Sequence, residues 1–216
     1  MNRAAPKRGR GRLARCIGAT AWAATSALAL LTPALIGASA TESSATPASA
    51  DTLDQLMQLL GQRKRGEADF SEVRYLSVLS EPLRSRGVLI YEAPDHLEQR
   101  ILQPRAETVV LDHGVLTMRL GKRVRSVPLA EQPQIAPLVD SIRALLAGER
   151  ATLEQRFTLQ LSGSIEHWLL RLTPRESSLR SSVLEIDMSG DRDAVREVQL
   201  QARNGDRSVM QIQPRP

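Results

Sequence analysis

Residues able to do chemistry are few in this 216-residue chain, whose histidines are three: His96, His113 and His167. None of them stands in an H-E-x-x-H pair, and their neighbours offer no paired ligand, so no metal site is expected. "SGS", Ser162 to Ser164, lacks the Gly-x-Ser-x-Gly elbow that exposes a nucleophilic serine at a strand-to-helix turn. "DMSGDRD", Asp187 to Asp193, has neither the glycine at the sixth position nor the glutamate at the twelfth that a calcium loop needs. It reads as a hairpin turn. No Gly-rich phosphate cradle appears. Cys16 is the single cysteine, so a chain without its first forty residues would have no thiolate, disulfide or sulfur ligand. These residues predict no catalytic group, no metal and no cofactor. A binding protein is expected rather than an enzyme.

The charge first suggests a nucleic-acid partner, with a net +5 and a pI near 10.1. Its location removes that reading. Arg3, Lys7, Arg8, Arg10, Arg12 and Arg15 all precede position 40, where there is no acid, and the remainder holds 23 basic against 24 acidic residues. A near-neutral body with 3% aromatic residues has neither the field nor the stacking platform that nucleic acid requires. The basic stretch is followed by apolar "IGATAWAATSALALLTPALI" and then "GASA", the pattern of a secretory signal. Ala38 and Ala40 fit cleavage after Ala40, and Ala48 with Ala50 offers a second site. A retained membrane anchor is the rival reading, since the apolar run is long enough to span. The expected location is the periplasm. Residues 1–40 are assigned to the leader and 41–50, "TESSATPASA", to a flexible spacer. A single domain is expected over 51–216.

That domain must build its site from apolar surface. Leu53, Leu56, Met57 and Leu60 fall on one face of a helix beginning near Thr52 and ending at Gly61 or Gly66. After Phe70 the apolar period shortens to two. Phe157, Leu159 and Leu161 share one face; after the SGS turn so do Trp168, Leu170 and Leu172. Leu184, Ile186 and Met188 follow, then Val198, Leu200 and Ala202. Asn204-Gly205 marks a tight hairpin, and Met210 with Ile212 closes the series. Leu116, Met118 and Leu120 follow the "DHG" turn. In "GVLIYEAPDHLEQRILQP", Leu89, Tyr91, Leu97 and Ile101 are apolar, and Pro94 and Pro104 mark strand ends at a rim. The pattern counts eight to ten antiparallel strands. One helix interrupts them over Gln134 to Ala147, with Ile135, Leu138, Val139, Ile142, Leu145 and Leu146 on one side and Gly148 at its end. The expected class is mainly β with helices (α+β): a strongly curved sheet lidded by two amphipathic helices. Periodicity alone does not distinguish a filled core from a lipid pocket.

The order of helix, "ADFSEVRYLS", "SRGVLIYEAPDHLEQRILQP", "AETVVLDHGVLTMRL", helix, "LLRLTP" and "REVQLQARNGDRSVMQI" resembles the periplasmic outer-membrane lipoprotein carrier family, LolA. The shared pattern falls on Gly87, Leu89, Pro94, Pro104 and Asp112. The resemblance implies an incomplete β-barrel of about eleven strands, with helices as a lid over a cavity that holds acyl chains. It implies cargo of a lipoprotein or other lipid, a transient inner-membrane donor protein, an outer-membrane acceptor protein, and a monomeric state without nucleic acid. Leu89, Tyr91, Leu97, Leu116, Met118, Trp168 and Leu170 become candidate cavity residues, faced by Leu138, Ile142 and Leu145 from the lid. Three features depart from the pattern. Ala93 stands where the carriers keep a lid-bonding arginine, Leu97 stands where they keep an aromatic residue, and their extra C-terminal strand has no counterpart after "QPRP". The departures widen the expected cargo to glycolipids or polyene-type conjugates. A periplasmic sensor on the same fold, recognising lipids or lipoproteins and signalling to a protein partner, is the alternative.

Overall fold

The computed structural model describes residues 50–132 and 136–215. The leader and nearly all of the spacer lie outside the described residues, as do Pro133, Gln134, Ile135 and the side chains of Pro137 and Leu138. The described chain is mainly β. Eleven antiparallel strands form one sheet: β1 Arg65–Tyr75, β2 Leu83–Glu92, β3 His96–Gln103, β4 Glu107–Asp112, β5 Val115–Leu120, β6 Arg123–Pro128, β7 Phe157–Gly163, β8 Trp168–Pro174, β9 Val183–Asp191, β10 Ala194–Ala202 and β11 Arg207–Pro214. Their spatial order is β6-β5-β4-β3-β2-β1-β11-β10-β9-β8-β7. Pairing of β1 with β11 joins the two halves of the sequence, and β6 and β7 are left as unpaired edges. The sheet is an open barrel.

Most connections are hairpins, so the long one matters. The chain leaves edge β6, makes a 3-10 turn at Leu129–Glu131, and forms α2 Ala136–Leu146 and α3 Arg150–Arg156 before entering edge β7. A connection between the two edges of a curved sheet has its shortest route across the open side. This places α2 and α3 on the inner face. The first helix, α1 Ala50–Gln62, joins them there, and a short α4, Ser177–Arg180, sits between β8 and β9. Gly61 and Gly148 let α1 and the end of α2 approach closely; a Cβ on Gly148 would overlap the Met57 carbonyl, and its φ of +71° suits glycine.

Two hydrophobic clusters hold the helices down. In the larger, Leu53, Leu56, Met57 and Leu60 of α1 pack with Ala144 and Leu145 of α2, Leu153 of α3, and the inner residues of β7 to β9. In the smaller, Leu111 and Leu116 pack with Leu129, and Ala136 and Val139 of α2 lie against them. Thus α2 is fixed at both ends, one in each cluster. Its polar side is tied as well: Arg156 reaches Asp140 at 3.7 Å, while Arg150 of α3 reaches Asp54 of α1 at 2.8 Å.

Several elements differ from the sequence reading. The strands number eleven among the described residues, as the family resemblance implies, where periodicity alone counts eight to ten, and there are four helices among the described residues, not two. The strand that periodicity misses is β6, "RVRSVP", because Arg123 and Arg125 fall on its inner face opposite Leu120 and Met118. As an edge strand it has only one neighbour and little to bury. Helix α3 offers one buried apolar residue, Leu153, too few to show a period. The prolines behave as expected: Pro94 lies in the β2–β3 turn and Pro104 just past the end of β3, each after a cis peptide bond.

Candidate functional site

Cross-strand register defines the inner face in three rows. One row runs Tyr91, Leu97, Leu111, Leu116 and Val127 from β2 to β6. A second runs Leu89, Gln99, Val109, Met118 and Arg125 over the same strands. The third crosses the β1–β11 seam: Glu72, Met210, Val198, Met188, Leu170 and Leu161. All seven strand positions predicted to face a cavity, Leu89, Tyr91, Leu97, Leu116, Met118, Trp168 and Leu170, therefore lie on the same side of the sheet. Ala93, the departure from the carrier pattern, sits in the β2–β3 turn, where its N–H donates to the Lys64 carbonyl at 2.8 Å.

Their surroundings differ. Trp168 and Leu170 are 2% and 0% exposed and belong to the larger cluster, in contact with the helices. Trp168 lies so close to β9 that a Cβ on Gly190 would overlap its ring, and its Nε1–H donates to the Arg192 carbonyl at 3.0 Å. Leu145 is equally closed in from α2. Tyr91 and Leu116 are buried near the smaller cluster; burial, with the Glu149 carboxylate adding to it, pushes the Tyr91 phenol pKa above its ordinary value. Leu89, Leu97 and Met118 on the strands and Ile142 on α2 are only half-buried. For Leu138 the backbone lies in α2 and the side chain lies outside the described residues.

Beside the larger cluster, β10, β11, β2 and β3 carry an apolar floor that is half-open, and β1 crosses it with the buried Phe70. Val198, Leu200, Met210, Ile212, Leu89 and Ile101 form it, and none is fully buried. The strand pattern marks Val198, Leu200, Met210 and Ile212 as one-faced, but nothing in their spacing separates them from core. One residue on this face carries no sequence signal but its parity with Phe70. Glu72 is 4% exposed, opposite Met210, and its carboxylate accepts from Arg74 Nε at 2.9 Å and Ser85 Oγ at 3.3 Å. Buried carboxylates persist where charge and hydrogen bonds satisfy them. Here they place a polar stop at the end of the apolar row. Phe70, one turn of the pleat away, would have located it by parity.

Two of the three histidines singled out in the sequence gather elsewhere, and His167 lies in the β7–β8 turn. His96 Nδ1 and His113 Nδ1 both meet the Asp112 carboxylate, at 3.1 and 3.0 Å, on exposed turns. That carboxylate, held first by His113 and then by His96, lies below the ordinary range, and the same pairing raises His113. No group of three metal-ligating side chains exists among the described residues. A depression of about 430 Å³ bounded by Thr52, Gln55, Leu59, Ile165 and Arg192 is polar and lies against α1 and the β7–β8 turn, off the floor.

The sequence matches the family model "Outer membrane lipoprotein carrier protein LolA-like" over residues 44–212. The chain belongs to the LolA-like family. Its open eleven-stranded sheet with inner-face helices is the fold expected of such a member. A search of curated proteins found no match. Among solved structures, a LolA superfamily protein from Nitrosomonas europaea is 10% identical, covering 78% of this chain and 92% of that one, with a TM-score of 0.39. The Pseudomonas aeruginosa MucA/MucB complex is 16% identical over 77% of this chain and 57% of that one, with a TM-score of 0.44. A DUF1329 family protein from Desulfovibrio piger is 11% identical over 74% and 88%, with a TM-score of 0.45. Likenesses this distant carry no functional argument. No described helix of the LolA-like chain is long and apolar enough to cross a membrane.

Proposed function

We propose that this LolA-like chain is a periplasmic carrier that shields the acyl chains of a lipoprotein or another lipid on the way to the outer membrane. The observation that supports the reading is the apolar floor whose side chains are only partly buried, on the same face to which α2 is pinned by a packed cluster at each of its ends. An acyl chain gains ~0.8 kcal/mol for each methylene it buries, so a strip of partly exposed aliphatic side chains is a place where it can rest. Binding and release of this kind make and break no covalent bond. On this reading Leu89, Leu97, Met118 and Ile142, the sequence-predicted residues that are only half-buried, would touch cargo, joined by Val198, Leu200, Met210 and Ile212. Trp168, Leu170 and Leu145 would act by holding the helices rather than by contact. A donor at the inner membrane and an acceptor at the outer membrane complete the route.

A fluorescent long-chain fatty acid tests the reading by titration. Enhancement that saturates, and that weakens about tenfold in Leu89→Asp, is expected, since a charge placed among apolar contacts opposes their burial. No enhancement with the parent protein, or an affinity unchanged by Leu89→Asp, would sink it.

A further inference from the structure

The two ends of the barrel are chemically unlike, and the difference has nothing to do with the floor. At the end where β1 begins, four arginines are matched: Arg65 with Glu92 at 2.7 Å, Arg63 with Asp193 at 2.6 Å, Arg196 with Asp191 at 2.6 Å, and Arg215 with Glu67 and Asp69, while Lys64 donates to the Gly61 carbonyl. Val115 is the one large apolar side chain left exposed there among the described residues. At the opposite end lie the β1–β2 connection, the β3–β4 and β5–β6 turns and the β10–β11 turn. There Tyr75, Val78, Leu79, Leu83 and Leu102 are exposed, Val78 to 66% and Leu102 to 59%. They adjoin one another, because β1 pairs with β2 and β2 with β3.

Arg74 of that end meets Glu72 at 2.9 Å, but five further cations are not matched. Arg84 and Arg86 on β2, Arg105 after β3, and Lys122 and Arg123 around the β5–β6 turn have no carboxylate within 4.0 Å among the described residues. The loop is also held in place. Ser77 donates from its N–H and Oγ to Asp206 at 2.7 and 2.9 Å, and the Arg207 guanidinium lies 4.4 Å over the Tyr75 ring. Anchored at its base to the β10–β11 turn, the loop keeps Val78 and Leu79 in solvent rather than folded onto the sheet.

Exposed aliphatic and aromatic side chains ringed by unmatched arginines are the composition of a surface that enters the interface of an anionic bilayer. The apolar groups go below the headgroups and the cations pair with phosphates. A protein partner of the same character would need carboxylates to face five cations. We propose that this end docks on an anionic lipid surface, with Val78 and Leu79 inserted and Arg84, Arg86 and Arg105 on the headgroups. The proposal goes beyond the carrier reading and stands without it, since it concerns neither the floor nor cargo.

The test is co-sedimentation of the protein, recovered as the cell delivers it, with vesicles of phosphatidylethanolamine and phosphatidylglycerol, and with vesicles of phosphatidylcholine alone. Binding to the anionic vesicles only, weakening with added salt, is expected. Val78→Asp with Leu79→Asp should cut it about tenfold or more, and Arg84→Glu with Arg86→Glu several-fold. Both positions are exposed, so urea midpoints should match the parent. Parent protein that stays in the supernatant with anionic vesicles overturns the proposal and directs the loop to a protein partner. So does a loop variant that sediments like the parent. A positive acyl-probe titration with no sedimentation would sink docking while leaving the carrier reading intact.

Discussion

Leu170 and Leu200 have the same chemistry and the same place in a strand alternation, yet the fold uses them differently. Leu170 lies on β8, where α1, α2 and α3 press onto the sheet, and it is fully buried. Leu200 lies on β10, two strands further round, packs against that cluster, and is half-buried. One half of the inner face is a finished core. The other half is apolar but only partly buried. Apolar surface left partly open on a folded domain is where another molecule can bind.

The contrast can be broken where it is largest. Leu170→Ala should cost about 3 kcal/mol or more, because a fully packed site does not collapse around the lost methylenes. Leu200→Ala should cost about 1 kcal/mol, since the residue is already partly hydrated. Urea unfolding of the two variants gives both values side by side. Equal losses would mean that the floor is as closed as the core. The smaller expected effect concerns the anchor of α1. Arg63 holds the Asp193 carboxyl below the ordinary carboxylate range, across the junction of α1 with β1. A folded pKa below the unfolded one gives stability that is present above the ordinary aspartate value and lost as pH falls through the depressed one. Both side chains are about a third or more exposed, so solvent screening keeps this to about 0.5 kcal/mol or less. Asp193→Asn should lower the urea midpoint slightly at pH 7, and parent and variant should converge as the pH falls well below 4.

Much of the architecture was legible because strands expose their period directly. "RFTLQL" and "HWLLRLTP" put their apolar residues on one face in the sequence and in the fold, and Asn204-Gly205 turns where expected. The polar edge β6 and the short α3 carried too little apolar signal to be seen. Within the candidate site, the sequence could tell which face a residue takes but not what lies over it. Trp168 and Leu89 share an inner face; one is sealed and the other half-open because of where α1 and α2 cross the sheet. The position of α2 follows from the long β6-to-β7 connection, and that of α1 from its packing on α2, tertiary features with no local pattern. Glu72 was hidden for the opposite reason, since an acid in an alternating strand reads as outward unless its partners are known.

The central claim, that the half-open floor holds acyl chains, is tested most directly by native mass spectrometry of protein recovered from the cell envelope under gentle conditions. The account predicts added mass that fragments to a lipid or acylated species, and its loss in Val198→Asp with Met210→Asp, the pair facing each other on the floor. Protein of unmodified mass from every preparation, or ligand retained undiminished by that double variant, would contradict it.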